Sequence, residues 1–206
     1  MKKKLLVEEI ELENLKKKSK PLARYIEVTE FPERYGETDP FISLMSGFVS
    51  QLVSAKTADT IFKRIEVLVG EITPETIHQV DAMELKKCGM SMKKVDNMKR
   101  VASDVVNKVL DLEQLREKSE EEIMQILLPY PGIGQWTVEM LMIFSLEKKD
   151  VLSYLDLGIR KGICEVYKIE KLDKKRFEKI KKAISPYGSI ASIYFWHAHR
   201  QQQLNQ

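Results

Sequence analysis

The stretch LLPYPGIGQWTVEMLMIFSLEKKDVLSYLDLGIRKG, Leu127 to Gly162, decides how the rest of the chain is read. It opens on the end of an apolar helix and breaks at PYPGIG (Pro129 to Gly134), which carries two prolines and two glycines. A strongly apolar helix resumes with QWTVEMLMIFSL. Helix, short Pro-Gly-Ile-Gly turn and helix make a helix-hairpin-helix. Gly132 and Gly134 can take backbone angles closed to other residues, and neither has a side chain to hold an anion away. Their amides, with those of Gln135 and Thr137 where the next helix starts, can donate hydrogen bonds to a phosphate. Such a contact reads no base and anchors a nucleic-acid backbone without sequence preference. A plain interhelical turn can be written with the same letters, so the motif alone leaves both readings open.

Outward from the hairpin, helix punctuation recurs, while alternating strand-like runs bounded by hairpin turns are nearly absent. The fold predicted is all-α. Asp39-Pro40 reads as an N-cap with proline at the first helical position, and Thr73-Pro74 repeats the signal. Gly70 and Gly89 read as helix stops, Ser91 opens the helix MKKVDNMKRVASDVVNKVL, and Ser119 with Glu122 forms a capping box. Later helices are expected near Asp156 to Tyr167, Asp173 to Ile184 and Pro186 to Arg200. No internal repeat or low-complexity linker interrupts them.

At 206 residues the chain can bury a good core without metals or disulfides. Apolar residues at 43% and charged residues at 32% fit a globular protein, and no window approaches the roughly 18 apolar residues of a membrane span. The opening MKKKLLVEEIELENLKKK turns acidic where a secretory signal would be apolar, so an intracellular location, cytoplasm or nucleoid, is expected. Cys88 and Cys164 are too few for a four-cysteine cluster and read as buried thiols. A net charge of +3 identifies no partner, but Lys86, Lys87, Lys93, Lys94, Lys99 and Arg100 crowd one stretch and Lys168 to Lys182 is a second. Both would suit a polyanion, and both are also what a solvated helix face looks like.

The ordered combination of hairpin, apolar helix and an aspartate about twenty residues beyond resembles the signature of the helix-hairpin-helix (HhH-GPD) DNA glycosylases, in the 3-methyladenine glycosylase II branch. SGFVSQLVSAKTA (Ser46 to Ala58), LKKCGMSMKKVDNMKRVASDV (Leu85 to Val105) and SPYGSIASIYFWHAHR near the C-terminus agree with it, so the likeness spans about residues 39 to 200. It implies two helical lobes flanking a DNA-binding cleft: a central lobe over about 39–135 with the hairpin, and a terminal lobe from 1–38 plus about 136–206. The activity implied is a monofunctional glycosylase hydrolysing the N-glycosidic bond of damaged, alkylated bases in double-stranded DNA. A monomer is expected, with no membrane partner and no cofactor needed for the chemistry.

The residue roles follow from the resemblance, position by position. Asp156 matches the catalytic aspartate, and it also reads as an ordinary N-cap for LGIRKGICEVY; the two uses are compatible. Trp136 stands where lyase members of the superfamily carry a Schiff-base lysine, which points to hydrolysis without strand cleavage. Trp136, Met140 and Tyr187 are candidates for the base pocket, since an electron-poor alkylated base is drawn to aromatic faces; core packing explains the same residues. Leu52, beside Gln51, matches the wedge that fills the gap left by an everted base, although periodicity alone would bury it. A structural monovalent cation on the backbone carbonyls of Leu128, Tyr130 and Ile133 is implied by the likeness alone. Two other readings stay open: a non-catalytic helix-hairpin-helix module that only holds DNA, and an oxidised-guanine glycosylase/lyase.

Overall fold

The computed structural model describes residues 2–204. Among them the chain forms twelve α-helices and one two-stranded sheet. The sheet pairs β1 (Lys2–Lys4) with β2 (Tyr35–Glu37). The helices are α1 (Glu9–Lys18), α2 (Lys20–Glu27), α3 (Pro40–Ser50), α4 (Ala55–Val69), α5 (Pro74–Gln79), α6 (Ala82–Lys87) and α7 (Met92–Val106). After a single 3-10 turn at Gln114–Glu117 come α8 (Glu120–Leu127), α9 (Gln135–Phe144), α10 (Leu157–Tyr167), α11 (Lys174–Ile184) and α12 (Gly188–Leu204).

Local chemistry explains most of these boundaries. Asp39 accepts from the amides of Phe41 and Ile42. Ser91 accepts from Lys94, and Ser119 closes a capping box with Glu122. Each such cap satisfies N–H groups that have no partner within the helix and contributes about 1 kcal/mol. Gly70 ends α4 at φ 74°, where a side chain would be strained. Two helices lie before Asp39 that were not expected from the sequence: α1 is opened by a capping box of Glu8 and Glu11, and α2 by Ser19 with proline in its first turn. The last helix starts at Gly188, two residues later than Pro186 suggested. The sheet departs from an all-helical reading only in three-residue strands, too short to leave a periodic signal.

The chain divides into two compact units, one over Glu37–Leu141 and one combining Lys2–Gly36 with the residues from Met142 onward. In the first, α7 packs against α3, α5 and α6. It buries Val95, Met98 and Val101, and α3 buries Leu44, Met45 and Phe48. In the second, Leu15, Leu22, Ile159, Ile163, Phe177 and Phe195 belong to one buried cluster, where each large apolar side chain contributes roughly 1.5–3 kcal/mol. There α10 lies so close to α12 that a Cβ on Gly162 would fall 1.9 Å from the Phe195 carbonyl oxygen. Cys88 is buried, but Cys164 is only half-buried, a correction to the expectation of two buried thiols. It sits toward the solvent side of α10, whose inner face is taken by Ile159, Gly162, Ile163 and Val166. No helix among the described residues is long and apolar enough to cross a membrane.

Candidate active site

The hairpin of the first unit is built from the end of α8, the turn that follows and the start of α9. Tyr130 donates its amide to the Leu127 carbonyl and Ile133 donates to Tyr130, each at 3.1 Å, so the turn is hydrogen-bonded internally. Ile133 is buried and pins it to the core. Gly132 has φ 83°, and a Cβ there would lie 2.3 Å from Asn97 Nδ2 and 3.0 Å from Phe48 Cε1. Glycine is required at that position on both counts. Gly134 differs from expectation: its backbone is not left-handed, and a Cβ would meet nothing within 4 Å. Its value is open space rather than an unusual angle. Its carbonyl accepts from Val138, so α9 begins there and the first-turn amides, Gln135 and Thr137 included, have no carbonyl within the helix.

On α9, Trp136 is 41% exposed and Met140 half-buried, one turn apart on the same face. The Gln135 side chain donates to Glu139 at 2.9 Å, a carboxylate buried within α9. Between α3 and α4, Leu52 is fully exposed with φ 59°. Beside it the Gln51 amide nitrogen donates to the Gly132 carbonyl at 2.8 Å, tying this turn to the hairpin. Gln51, Leu52, Gly132 and Gly134 are thereby brought into one neighbourhood.

The basic stretch of the first unit is only partly available to a polyanion. Lys99 is spent on the carbonyls of Ile77, His78 and Val80, capping the end of α5, and Lys94 on those of Val49 and Gln51. Lys87 pairs with Glu84. These lysines satisfy orphan carbonyls that a count of charges cannot see.

In the second unit Asp156 is the N-cap of α10. Its Oδ1 accepts from the Ile159 amide at 2.8 Å and from the Trp196 indole N–H at 2.9 Å. The indole is held in turn by stacking on Phe144, ring centroids 5.5 Å apart and planes inclined by 21°. Gly158 makes the approach possible, since a Cβ there would lie 2.8 Å from Trp196 Cδ1 and 3.2 Å from Asp156 Oδ1. A carboxylate that accepts from two N–H donors is fixed in orientation. Sequence reasoning missed Trp196 and Gly158. The available signal was chemical, because a tryptophan packed into a core needs an acceptor for its N–H. Tyr187 is half-buried and packs against the core of this unit.

The HhH-GPD family model, described as the HhH-GPD superfamily base excision DNA repair protein, matches residues 45–186. The chain belongs to this superfamily. DNA-3-methyladenine glycosylase 1 of Schizosaccharomyces pombe is 33% identical over 163 residues, covering 77% of this chain and 72% of that relative. The crystal structure of DNA-3-methyladenine glycosidase from Bacillus halodurans superposes with a TM-score of 0.87 at 31% identity, covering 98% of this chain and 94% of that one. The Schizosaccharomyces pombe 3-methyladenine DNA glycosylase in complex with abasic DNA superposes with a TM-score of 0.78 at 31% identity, over 91% of this chain and 95% of that one. The HhH-GPD match contains Leu52, the whole hairpin, Trp136, Met140 and Asp156, while Tyr187 falls one residue and Trp196 ten residues beyond its end.

Proposed function

We propose that this HhH-GPD protein is a monofunctional DNA glycosylase of base excision repair, hydrolysing the N-glycosidic bond of alkylated bases. The observation that carries the reading is the Asp156 carboxylate, fixed by a backbone amide and an indole N–H on a residue that begins a helix. Breaking the C1′–N bond builds positive charge on the sugar, and a preoriented carboxylate stabilises that charge as it develops. Water adds to C1′, the bonding pair leaves with the base, and the proton of the attacking water passes to the carboxylate or to solvent. A base alkylated at a ring nitrogen is already cationic, so it departs as a neutral species without a strong acid. Names of the relatives point the same way, all three being 3-methyladenine glycosylases or glycosidases.

The remaining roles are assigned on the same basis. Amides of Gly132, Gly134, Gln135 and Thr137 take a DNA phosphate, Trp136 and Met140 receive the base, and Leu52 with Gln51 fills the duplex. The enzyme acts on double-stranded DNA as a monomer, in the compartment that holds the cell's DNA. The donor chemistry of the hairpin fits a monovalent cation, because backbone carbonyls are hard oxygen donors and the Tyr130 oxygen, which accepts one N–H, keeps a second lone pair. Leu128, Tyr130 and Ile133 would hold that ion, which would add positive charge beside the phosphate. Among the described residues no group of three or more His, Cys, Asp or Glu could bind a metal.

The test is a panel of duplexes carrying 3-methyladenine, 7-methylguanine, hypoxanthine or 8-oxoguanine, scored for free base. Release of a methylated base without strand cleavage is expected. Release of 8-oxoguanine alone, or of no base while DNA is bound, would replace the reading with one of its rivals.

A further inference from the structure

We infer that Lys94 is a positioning residue for base eversion, holding the α3–α4 turn so that Leu52 stands out in the pose a wedge requires. The inference rests on the reading of Leu52 as the wedge. Leu52 carries φ 59°, a region costly for a residue with a Cβ, and its side chain, at 104% relative exposure, is packed against nothing. An apolar side chain left to itself would lie down on the surface, so something other than its own contacts must keep the turn in place.

Lys94 supplies that restraint. Reaching from α7, its Nζ donates to the Val49 carbonyl at 3.1 Å and to the Gln51 carbonyl at 2.6 Å. These oxygens belong to the last turn of α3 and to the residue directly before Leu52, where the helix leaves carbonyls unsatisfied and its dipole favours a cation. Burial lowers the Lys94 pKa from its ordinary value, in keeping with an ammonium turned inward. One turn further along α7, Asn97 stands against Gly132, whose carbonyl takes the Gln51 side chain. Two residues on one helix face therefore brace the wedge turn and the hairpin. A strained, protruding side chain braced in this way is preorganised, and the ordering cost is met on folding rather than on meeting DNA. Loss of the ammonium lets the turn relax, which slows opening of a stacked pair and leaves bond cleavage untouched.

The experiment compares single-turnover base release from two substrates, the lesion that the wild-type chain releases fastest placed in a paired duplex and the same lesion in an unpaired bulge. Lys94→Met and Leu52→Ala are each expected to slow release about tenfold on the paired substrate and less than about twofold on the bulge, with the double variant no slower than Leu52→Ala. Lys94→Arg restores most of the rate. Equal losses on both substrates, a wild-type rate for Lys94→Met on the paired lesion, or losses that multiply in the double variant overturn the inference. If Leu52→Ala itself matches wild type on the paired lesion, the wedge reading fails and this inference with it; a slow Leu52→Ala beside a fast Lys94→Met sinks the inference alone. Should Lys94→Met not fold, Lys94→Gln is judged by the same ratio.

Discussion

Replacing Gly158 with alanine adds one methyl group beside the carboxylate on which the chemistry depends. That methyl would lie 2.8 Å from Trp196 Cδ1, 3.3 Å from Trp196 Nε1 and 3.2 Å from Asp156 Oδ1. Carbon atoms rest at about 3.5 Å or more, so some 0.7 Å must be found by moving the indole, the carboxylate or both. Trp196 is stacked on Phe144 and cannot retreat freely, which passes part of the displacement to Asp156. Misplacing a reacting group by about 1 Å costs on the order of 10² in rate, so about half that shift should cost roughly tenfold. Stability should respond differently, because alanine is favoured over glycine in a helix by up to about 1 kcal/mol, offsetting the clash. Single-turnover base release, with Tm and duplex affinity measured alongside, separates the two effects. Gly158→Ala is expected to keep Tm and DNA binding while losing about tenfold in release, and in a Trp196→Phe background the extra loss should shrink to less than about twofold. Release by Gly158→Ala within about twofold of wild type would refute the claim that the Trp196 contact orients Asp156.

Gly132→Ala should lower Tm by roughly 5 °C or more, given φ 83° and a Cβ only 2.3 Å from Asn97, whereas Gly134→Ala, in open space, should leave Tm unchanged and weaken duplex binding; equal Tm losses, read by thermal denaturation, would contradict the distinction. His197, with Tyr25 Oη 2.8 Å from its Nδ1, has its pKa lowered from 6.5 by burial and by the charges of Arg34 and Arg200. The folded state thus resists the proton that the unfolded chain accepts, so stability is present above pH 6.5 and lost as pH falls through the lower folded value. Tm measured from pH 7.5 down to about 5 should fall more steeply for wild type than for His197→Asn, and parallel curves would exclude His197 as the cause. With Trp136 in place of a lysine, borohydride treatment during turnover should trap no protein–DNA adduct, and a trapped adduct would mean lyase chemistry.

The helix boundaries were legible at Asp39, Thr73, Ser91, Ser119 and Asp156, where a side chain bonds its own backbone within three residues, yet Ser19, Ser54 and Asp81 cap helices in the same way and were not read from the sequence. The hairpin was legible for the same reason, being a local sequence of prolines and glycines. Contacts between distant residues were not. Trp196 meets Asp156 across 40 positions, Gln51 meets Gly132 across 81 and Lys94 meets Gln51 across 43, and no periodicity encodes such pairings. Leu52 shows the limit from the other side, since an apolar residue next to an apolar helix reads as core, yet a positive φ turns it fully outward. Lysine clusters mislead in a similar way, because Lys94 and Lys99 are drawn to helix-end carbonyls rather than left for a partner.

Asp156→Asn tests the central claim most directly. The amide keeps an oxygen that can accept from Ile159 and Trp196, so α10 keeps its cap while the negative charge is lost. Base release from an alkylated duplex and affinity for the same duplex should be measured on one preparation. A loss of about 10² or more in release with affinity unchanged is the result expected of a carboxylate that stabilises charge on the sugar. Release at the wild-type rate, with the variant folded and bound to DNA, would contradict it.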